Sequence, residues 1–149
     1  MSDYKYGYHI FDKDFNLMDG RVQPPGVKLE AQFVSTDNNK GLLWLMKLFK
    51  RFIKPKVCAY GMHATYTIEQ SLMEWVTGDS YWLACCKIYP PYDMYNDKFC
   101  GLAREIEWVV SLDDLCKHFG YASKLSLWLV NTKELNEAVY ELRTAANQV

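Results

Sequence analysis

Apolar and polar positions alternate near the start of the chain, and this period of two predicts a strand over residues 4–11. A nearly unbroken apolar and aromatic run over residues 80–89 is typical of a central strand that is buried on both faces. Shorter runs over residues 28–34 and 102–110 predict two further strands. Together these segments indicate a small mixed or antiparallel sheet.

Helix starts are marked by capping residues placed before apolar stripes of helical period, at Thr67, Ser111 and Asn131. Gln70 completes a capping box in the first of these helices, and Gly78 is its expected end. Residues 125–130 fit either a strand or a helix, because a short apolar run has no decisive period. The pattern predicts one α+β domain over residues 1–149, with three to five helices and a helical C-terminal third.

The stretch 40–54 combines a wide apolar face with a narrow basic stripe. Nine of the twelve residues from 42 to 53 are apolar, whereas the cations follow i, i+3, i+4, i+7 spacing. Three interpretations stay open: the helix packs on its own sheet, forms an oligomer or partner interface, or lies on an anionic membrane or nucleic-acid backbone. The predicted interface residues are Trp44, Leu45, Phe49, Arg51 and Phe52.

Charge is distributed unevenly along the chain. Residues 38–68 hold six basic residues and no acidic one, so a chain of net charge -1 carries -7 elsewhere. The near-neutral total gives no global attraction for nucleic acid, and we expect no specific nucleic-acid recognition. A hydrophobic fraction of 50% and an aromatic fraction of 15% exclude a disordered chain.

Cysteine usage favours a reducing compartment. The five cysteines are odd in number and two of them, Cys85 and Cys86, are adjacent, which makes a poor disulfide framework. The N-terminus lacks the pattern of a signal peptide, and no apolar run reaches the length of about 18 residues that a spanning helix needs. We therefore predict a cytoplasmic location.

Catalytic and metal-binding motifs are sparse. Cys58 and His63 form a C-x4-H pair, which could supply two zinc ligands or a nucleophile with its base. Neither further ligands at compatible spacing nor a third catalytic group accompany the pair, and glycine-rich phosphate loops and a GxSxG motif are absent from the sequence. The sequence predicts buried thiols, no metal and no cofactor.

Several segments occur in the order seen in a known family: Tyr8-His9-Ile10-Phe11, Leu17-Met18-Asp19-Gly20-Arg21, Cys58-Ala59-Tyr60-Gly61-Met62-His63-Ala64-Thr65, then Asp97-Lys98 and Arg104. They resemble an uncharacterised domain family of bacteriophages and bacterial genomes. Its members carry a Y-H-F strand, an L-x-D-G-R turn, a C-x-x-G-L-H-A-S segment and a D-K…R element. The resemblance covers most of the chain, whereas residues 35–56 depart from it and look like an insertion that carries the basic helix.

The resemblance marks His9, Arg21, His63, Lys98 and Arg104 as candidate functional residues, and Thr65, which lies just before the helix start, is added to the predicted ligand-binding set. Cations and amide donors beside a helix start suit a phosphate group. The family implies a phage-encoded accessory protein that works in the host cytoplasm by binding, in host takeover or counter-defence. Its expected partner is a host protein or a small anionic ligand such as a nucleotide, and self-association through residues 41–54 is a further expectation.

A second resemblance, to ADP-ribosyltransferase-like folds, gives an enzymatic alternative. An ADP-ribosyl or nucleotidyl transferase would use His9, His63 and Glu105, and would need His9 and Glu105 to face one cleft. The chain departs from that pattern, since no glycine follows His9 and His63 stands where an aromatic residue is expected. A third alternative is a membrane-surface protein anchored by residues 41–54. Of these classes we favour binding over catalysis.

Overall fold

The computed structural model describes residues 3–31 and 61–149, and these residues form an α+β fold around one mostly antiparallel eight-stranded sheet. The strands are β1 (Lys5–Asp12), β2 (Leu29–Glu30), β3 (Met62–Thr65), β4 (Ser80–Tyr89), β5 (Asp93–Met94), β6 (Lys98–Gly101), β7 (Ala103–Ser111) and β8 (Thr144–Ala145). Their order is β2-β7-β4-β1-β3-β6-β5, and β8 also pairs with β7.

The helices are α1 (Ile68–Trp75), α2 (Leu112–Phe119) and α3 (Thr132–Leu142), with 3-10 helices at Lys124–Leu129 and Ala146–Gln148. The three predicted N-caps are confirmed by side-chain hydrogen bonds to the first turn of each α-helix. Thr67 and Gln70 form the reciprocal capping box, which satisfies two backbone donors at the start of α1. Sequence patterns therefore identify where each α-helix begins.

Strand β4 lies in the interior of the sheet, as its apolar run predicts. It pairs with β1 on one side and with β7 on the other. Four consecutive residues in it, Leu83, Ala84, Cys85 and Cys86, are buried. A strand that hides both faces needs apolar residues at successive positions, and this explains the absence of alternation.

The first face of the sheet is covered by the helices, and we call it the helical face. Ile10, Leu83 and Val110 project from the three central strands into a single apolar cluster. The residues that meet them come from all three α-helices and the first 3-10 helix: Ile68, Leu72, Leu112, Leu115, Cys116, Leu127, Leu135, Ala138 and Val139. Burial of this apolar area is the main source of stability.

The second face, which we call the inner face, carries Phe11, Ala84, Cys86 and Ile88 of β1 and β4. Strands β3 and β6 curl over it, since Ala64 and Phe99 join the same apolar cluster. Gly7 makes the close approach possible, because a Cβ at this position would lie 2.6 Å from the Ala64 Cβ. Loop 13–28 approaches the same face with Phe15 and Leu17.

Several predicted boundaries are corrected. Residues 62–65 were expected in a turn before Thr67 but form strand β3, because they pair with β6 along their whole length. Helix α1 ends at Trp75, three residues before the predicted end at Gly78. The next residue, Val76, already takes an extended conformation. Residues 125–130 lie mostly in a 3-10 helix. A wholly helical C-terminal third is not confirmed, since β7 and β8 occupy part of it.

The predicted basic helix and the insertion 35–56 lie outside the described residues, as do Cys58 and the interface residues Trp44, Leu45, Phe49, Arg51 and Phe52. Predictions about them stay predictions. Within residues 3–31 and 61–149, the helices are too short or too polar to cross a membrane.

Candidate functional site

Strands β1 and β3 separate soon after they meet, and Arg104 bridges the gap. The two strands pair at Tyr8↔Thr65, and this is their one register position. Arg104 enters from β7, and its Nη1 donates to the His63 carbonyl oxygen at 2.8 Å. The guanidinium carbon also lies 5.0 Å from the centre of the Phe11 ring. Strand β1 does not pair with β3 at His63, so the His63 carbonyl oxygen accepts a hydrogen bond from Arg104 instead.

Arg104 is a buried cation, with 3% of its surface exposed. Its Nε donates to Oε1 of Gln23 at 3.3 Å, and this partner is a neutral amide. In the described part of the chain, no carboxylate lies within ion-pair distance of the guanidinium. Burial lowers the pKa of Arg104, and the nearby charge of Arg21 adds to this effect, while the Cys86 thiol and the Asp19 carboxylate oppose it. A buried charge without a directly paired carboxylate is costly, which marks this position as a functional candidate.

Arg21 lies close to Arg104 but carries its own counter-ion. Its Nη2 lies 2.8 Å from Oδ2 of Asp19, and its Nε donates to the same carboxylate at 2.9 Å. Its Nη1 donates to the Glu30 carbonyl oxygen, which ties the loop to β2. Burial opposes ionisation of Asp19, but hydrogen bonds and charge from Arg21 hold its pKa below the ordinary value. Asp19 is therefore paired directly with Arg21, and its charge also acts on Arg104 without forming an ion pair with it.

Two imidazoles complete the group. Burial is the main reason why the pKa of His9 lies well below the ordinary value. The nearby charges of Arg104 and His63 lower this pKa further. Burial and Arg104 likewise lower the pKa of His63, whose Nδ1 lies 3.1 Å from the Gly61 carbonyl oxygen. Both residues are partly exposed, so solvent reaches this region. We call His9, Arg21, His63 and Arg104 the basic cluster.

Two candidate residues serve other contacts. The Lys98 Nζ lies 2.7 Å from Oε1 of Glu74 in an ion pair with α1, although its charge still contributes to the lowered pKa of His63. Thr65 is buried, and its hydroxyl donates to the Thr67 carbonyl oxygen at 2.8 Å, next to the capping box. Lys98 and Thr65 thus hold α1 in place, and the structure brings together four of the six predicted binding residues.

The strand register bears on the residues assigned to the transferase alternative. Glu105 pairs with Lys87 of β4, and Lys87 pairs with Tyr6 of β1, so these three share a face. His9 lies three residues beyond Tyr6 on the same strand, and side chains alternate with a period of two. His9 and Glu105 therefore project from opposite faces and cannot line one cleft, which corrects that assignment of residues.

Three thiols of the described residues, those of Cys85, Cys86 and Cys116, are poor nucleophiles at neutral pH. Burial raises the pKa of the Cys86 thiol to about 12 and raises that of Cys85 further. Burial also raises the pKa of Cys116. No three His, Cys, Asp or Glu side chains in residues 3–31 and 61–149 are grouped so that they could hold a metal ion.

Two residues of the site were missed by sequence reasoning. Gln23 is fully buried, and its Nε2 donates to the carbonyl oxygens of Val27 and Arg104 at 3.0 and 3.3 Å, which clamps the loop to β7. Nothing in a glutamine before two prolines signals this role. The sequence predicts Phe11 only as a strand residue. In the structure its ring packs against the guanidinium of Arg104.

No protein-family model, curated protein or solved structure matches the chain. The family resemblance given above thus stays a prediction. The functional proposal rests on the geometry of the basic cluster.

Proposed function

We propose that this chain is a phage-encoded accessory protein that acts in the host cytoplasm by binding a small anionic ligand at the basic cluster. The observation that carries the proposal is the buried guanidinium of Arg104, which has a neutral amide and a carbonyl oxygen as hydrogen-bond partners. A protein that buries a cation without a carboxylate gains most when an external anion supplies the missing charge.

The chemistry of the cluster suits an oxyanion. A guanidinium offers five N–H donors in a planar fork, and two of those of Arg104 are engaged within the described residues. In a partly desolvated site an anion interacts with such donors more strongly than it does in water. His9 and His63 are each partly exposed, whereas Nδ1 of His9 is itself buried.

Binding is favoured over turnover for two reasons. The residues proposed for a transferase lie on opposite faces of the sheet, and the buried thiols have raised pKa values. Arg21, beside Arg104, is held in an ion pair with Asp19. The second candidate partner is a host protein. The residues of this chain predicted to contact it lie outside the described ranges 3–31 and 61–149.

The test is thermal denaturation of the purified protein with a panel of oxyanions, namely sulfate, phosphate, a nucleoside monophosphate and a carboxylate, against chloride at equal ionic strength. A ligand at about 100 times its Kd should stabilise the folded state by about 2.7 kcal/mol. Arg104→Gln should lose this stabilisation.

The matched control is Arg143→Gln, which removes a cation from the helical face beside Trp108. This variant should keep the response of the wild-type chain. Equal stabilisation of Arg104→Gln and the wild-type chain, or none in either, would contradict the proposed function.

A further inference from the structure

We propose that His9 is a binding residue for a dianionic, phosphate- or sulfate-type ligand, and that its imidazole takes up one proton when the ligand binds. This inference rests on the proposed function, because it concerns the same basic cluster. It goes further by naming the charge of the ligand, the atom that contacts it and a proton that accompanies binding.

The first observation is an unused polar atom. Nδ1 of His9 is buried and has no hydrogen-bond partner among the residues that the structure describes. The ring lies 4.8 Å from that of Phe11 and 4.3 Å from that of Trp75, measured between centroids. Buried ring nitrogens are nearly always hydrogen-bonded. The His9 ring is held between two aromatic residues, and its Nδ1 has no such bond, which indicates that a ligand supplies the contact.

The second observation is the set of charges around the ring. Arg104 on β7 and His63 on β3 both act on His9 and disfavour its protonation, as burial does. The carboxyl of Glu69 on α1 acts on Tyr8, and the Cys86 thiol on β4 acts on Arg104. Among the groups that act on the pKa of His9 there is no carboxylate of the described residues, so burial and the two neighbouring basic groups favour the neutral ring.

A bound anion reverses this balance. Its negative charge offsets Arg104 and favours the imidazolium, which donates from both ring nitrogens. Nδ1–H of His9 then donates to the anion, and the proton comes from solvent, so the site gains one positive charge. Arg104 and protonated His9 together carry two charges, since Arg21 is neutralised by Asp19. Two positive charges match a dianion better than a monoanion.

The experiment is isothermal titration calorimetry of the full chain with sulfate, in two buffers of different ionisation enthalpy. Sulfate is the probe because it stays a dianion near neutral pH, so any proton taken up belongs to the protein. We expect net uptake approaching one proton per sulfate at about pH 7, and binding at least about tenfold tighter at pH 6 than at pH 8. Nitrate, a monoanion, should bind at least about tenfold more weakly than sulfate at the same pH.

Substitutions assign the proton. His9→Asn keeps an N–H near the position of Nδ1 but cannot titrate, so it should bind sulfate without proton uptake and with little dependence on pH. His63→Asn should retain the uptake. His118→Asn, which changes an exposed imidazole on α2, is the matched control and should behave as the wild-type chain does.

The outcomes separate the two proposals. Sulfate binding without proton uptake, or uptake that His9→Asn leaves unchanged, overturns the inference about His9 and leaves the proposed function standing. A folded wild-type chain that binds neither sulfate nor phosphate overturns both. If His9→Asn does not fold, the titration of the His9 ring in the wild-type chain decides by NMR. Its pKa should rise from below the ordinary value to above about 7 on addition of sulfate, as proton uptake at about pH 7 requires, and a value that stays below about 7 overturns the inference.

Discussion

The helical face and the inner face are built from the same three central strands, but they differ in chemistry. On the helical face, Leu83 meets side chains such as Leu72 and Leu115, and the cluster contains no charged residue. On the inner face the apolar cluster borders a buried arginine and a buried glutamine, Arg104 and Gln23. Buried polar groups reduce stability unless they are fully paired. The helical face therefore stabilises the fold, whereas the buried Arg104 and Gln23 make the inner face less stabilising than an apolar face would be.

Such a departure is what a binding site requires. Locally unfavourable features persist where function selects them, and the rest of the structure must offset their cost. In this protein the helical layer provides the offset. Substitutions on the two faces should therefore differ in their effects on stability and on anion binding.

The largest effect is expected from Leu115→Ala in the helical core. The side chain is fully buried, so its truncation should leave a cavity and lower the free energy of unfolding by about 2–5 kcal/mol. Urea denaturation followed by circular dichroism measures the change. Leu125→Ala is the control, since Leu125 is 53% exposed, and it should change stability little. Comparable losses in both variants would show that the helical layer does not form the core.

The next effect is expected from Gly7→Ala on the inner face. The added Cβ would lie 2.6 Å from the Ala64 Cβ and 3.0 Å from the Phe99 ring, so β3 and β6 must shift. We expect a loss of about 1–3 kcal/mol in the same denaturation experiment. Gly78→Ala has open space around it and serves as the control. An unaffected Gly7→Ala variant would mean that the strands do not curl tightly over the inner face.

A smaller loss is expected from Arg104→Met, although the residue is as deeply buried as the leucines. Removing the lone charge relieves its desolvation, whereas the Gln23 amide oxygen and the His63 carbonyl oxygen lose a donor. The net loss should be about 1–2 kcal/mol, and the stabilisation by anions should vanish. A loss greater than that of Leu115→Ala would assign Arg104 to stability rather than binding.

The smallest effect is expected from Lys98→Ala, which removes the ion pair with Glu74. Partly exposed pairs contribute about 0.2–1 kcal/mol, so the melting temperature should change little. Because Lys98 faces α1 rather than Arg104, sulfate affinity should stay within about twofold of the wild-type value. A tenfold loss of sulfate affinity would place Lys98 in the binding site after all.

Local signals in the sequence predicted the elements that depend on local chemistry. The caps at Thr67, Ser111 and Asn131 satisfy nearby backbone donors, so residues a few positions apart are sufficient to define them. The long apolar run of β4 is equally readable, because a doubly buried strand has few alternatives.

The remaining features depend on contacts between distant residues. Strand β3 is short and has a histidine at its second position, and it exists through its pairing with β6. Within β7, Arg104 shares a face with Ile106 by simple alternation, so the sequence held a signal for its inward direction. The pairing of β7 with β4 shifts register between Cys85 and Cys86. Alternation along β7 therefore does not hold over its whole length, and the direction of Arg104 is easily missed.

The pairing of β1 has a consequence for how the protein is made. This strand is synthesised before its partners β3 and β4, which lie far along the chain, and β4 in turn pairs with β7. Folding of the sheet must wait until β7 has left the ribosome, and contacts between such distant segments form slowly. The tyrosine-rich β1 therefore spends that interval unpaired, which makes it a segment on which a chaperone would act.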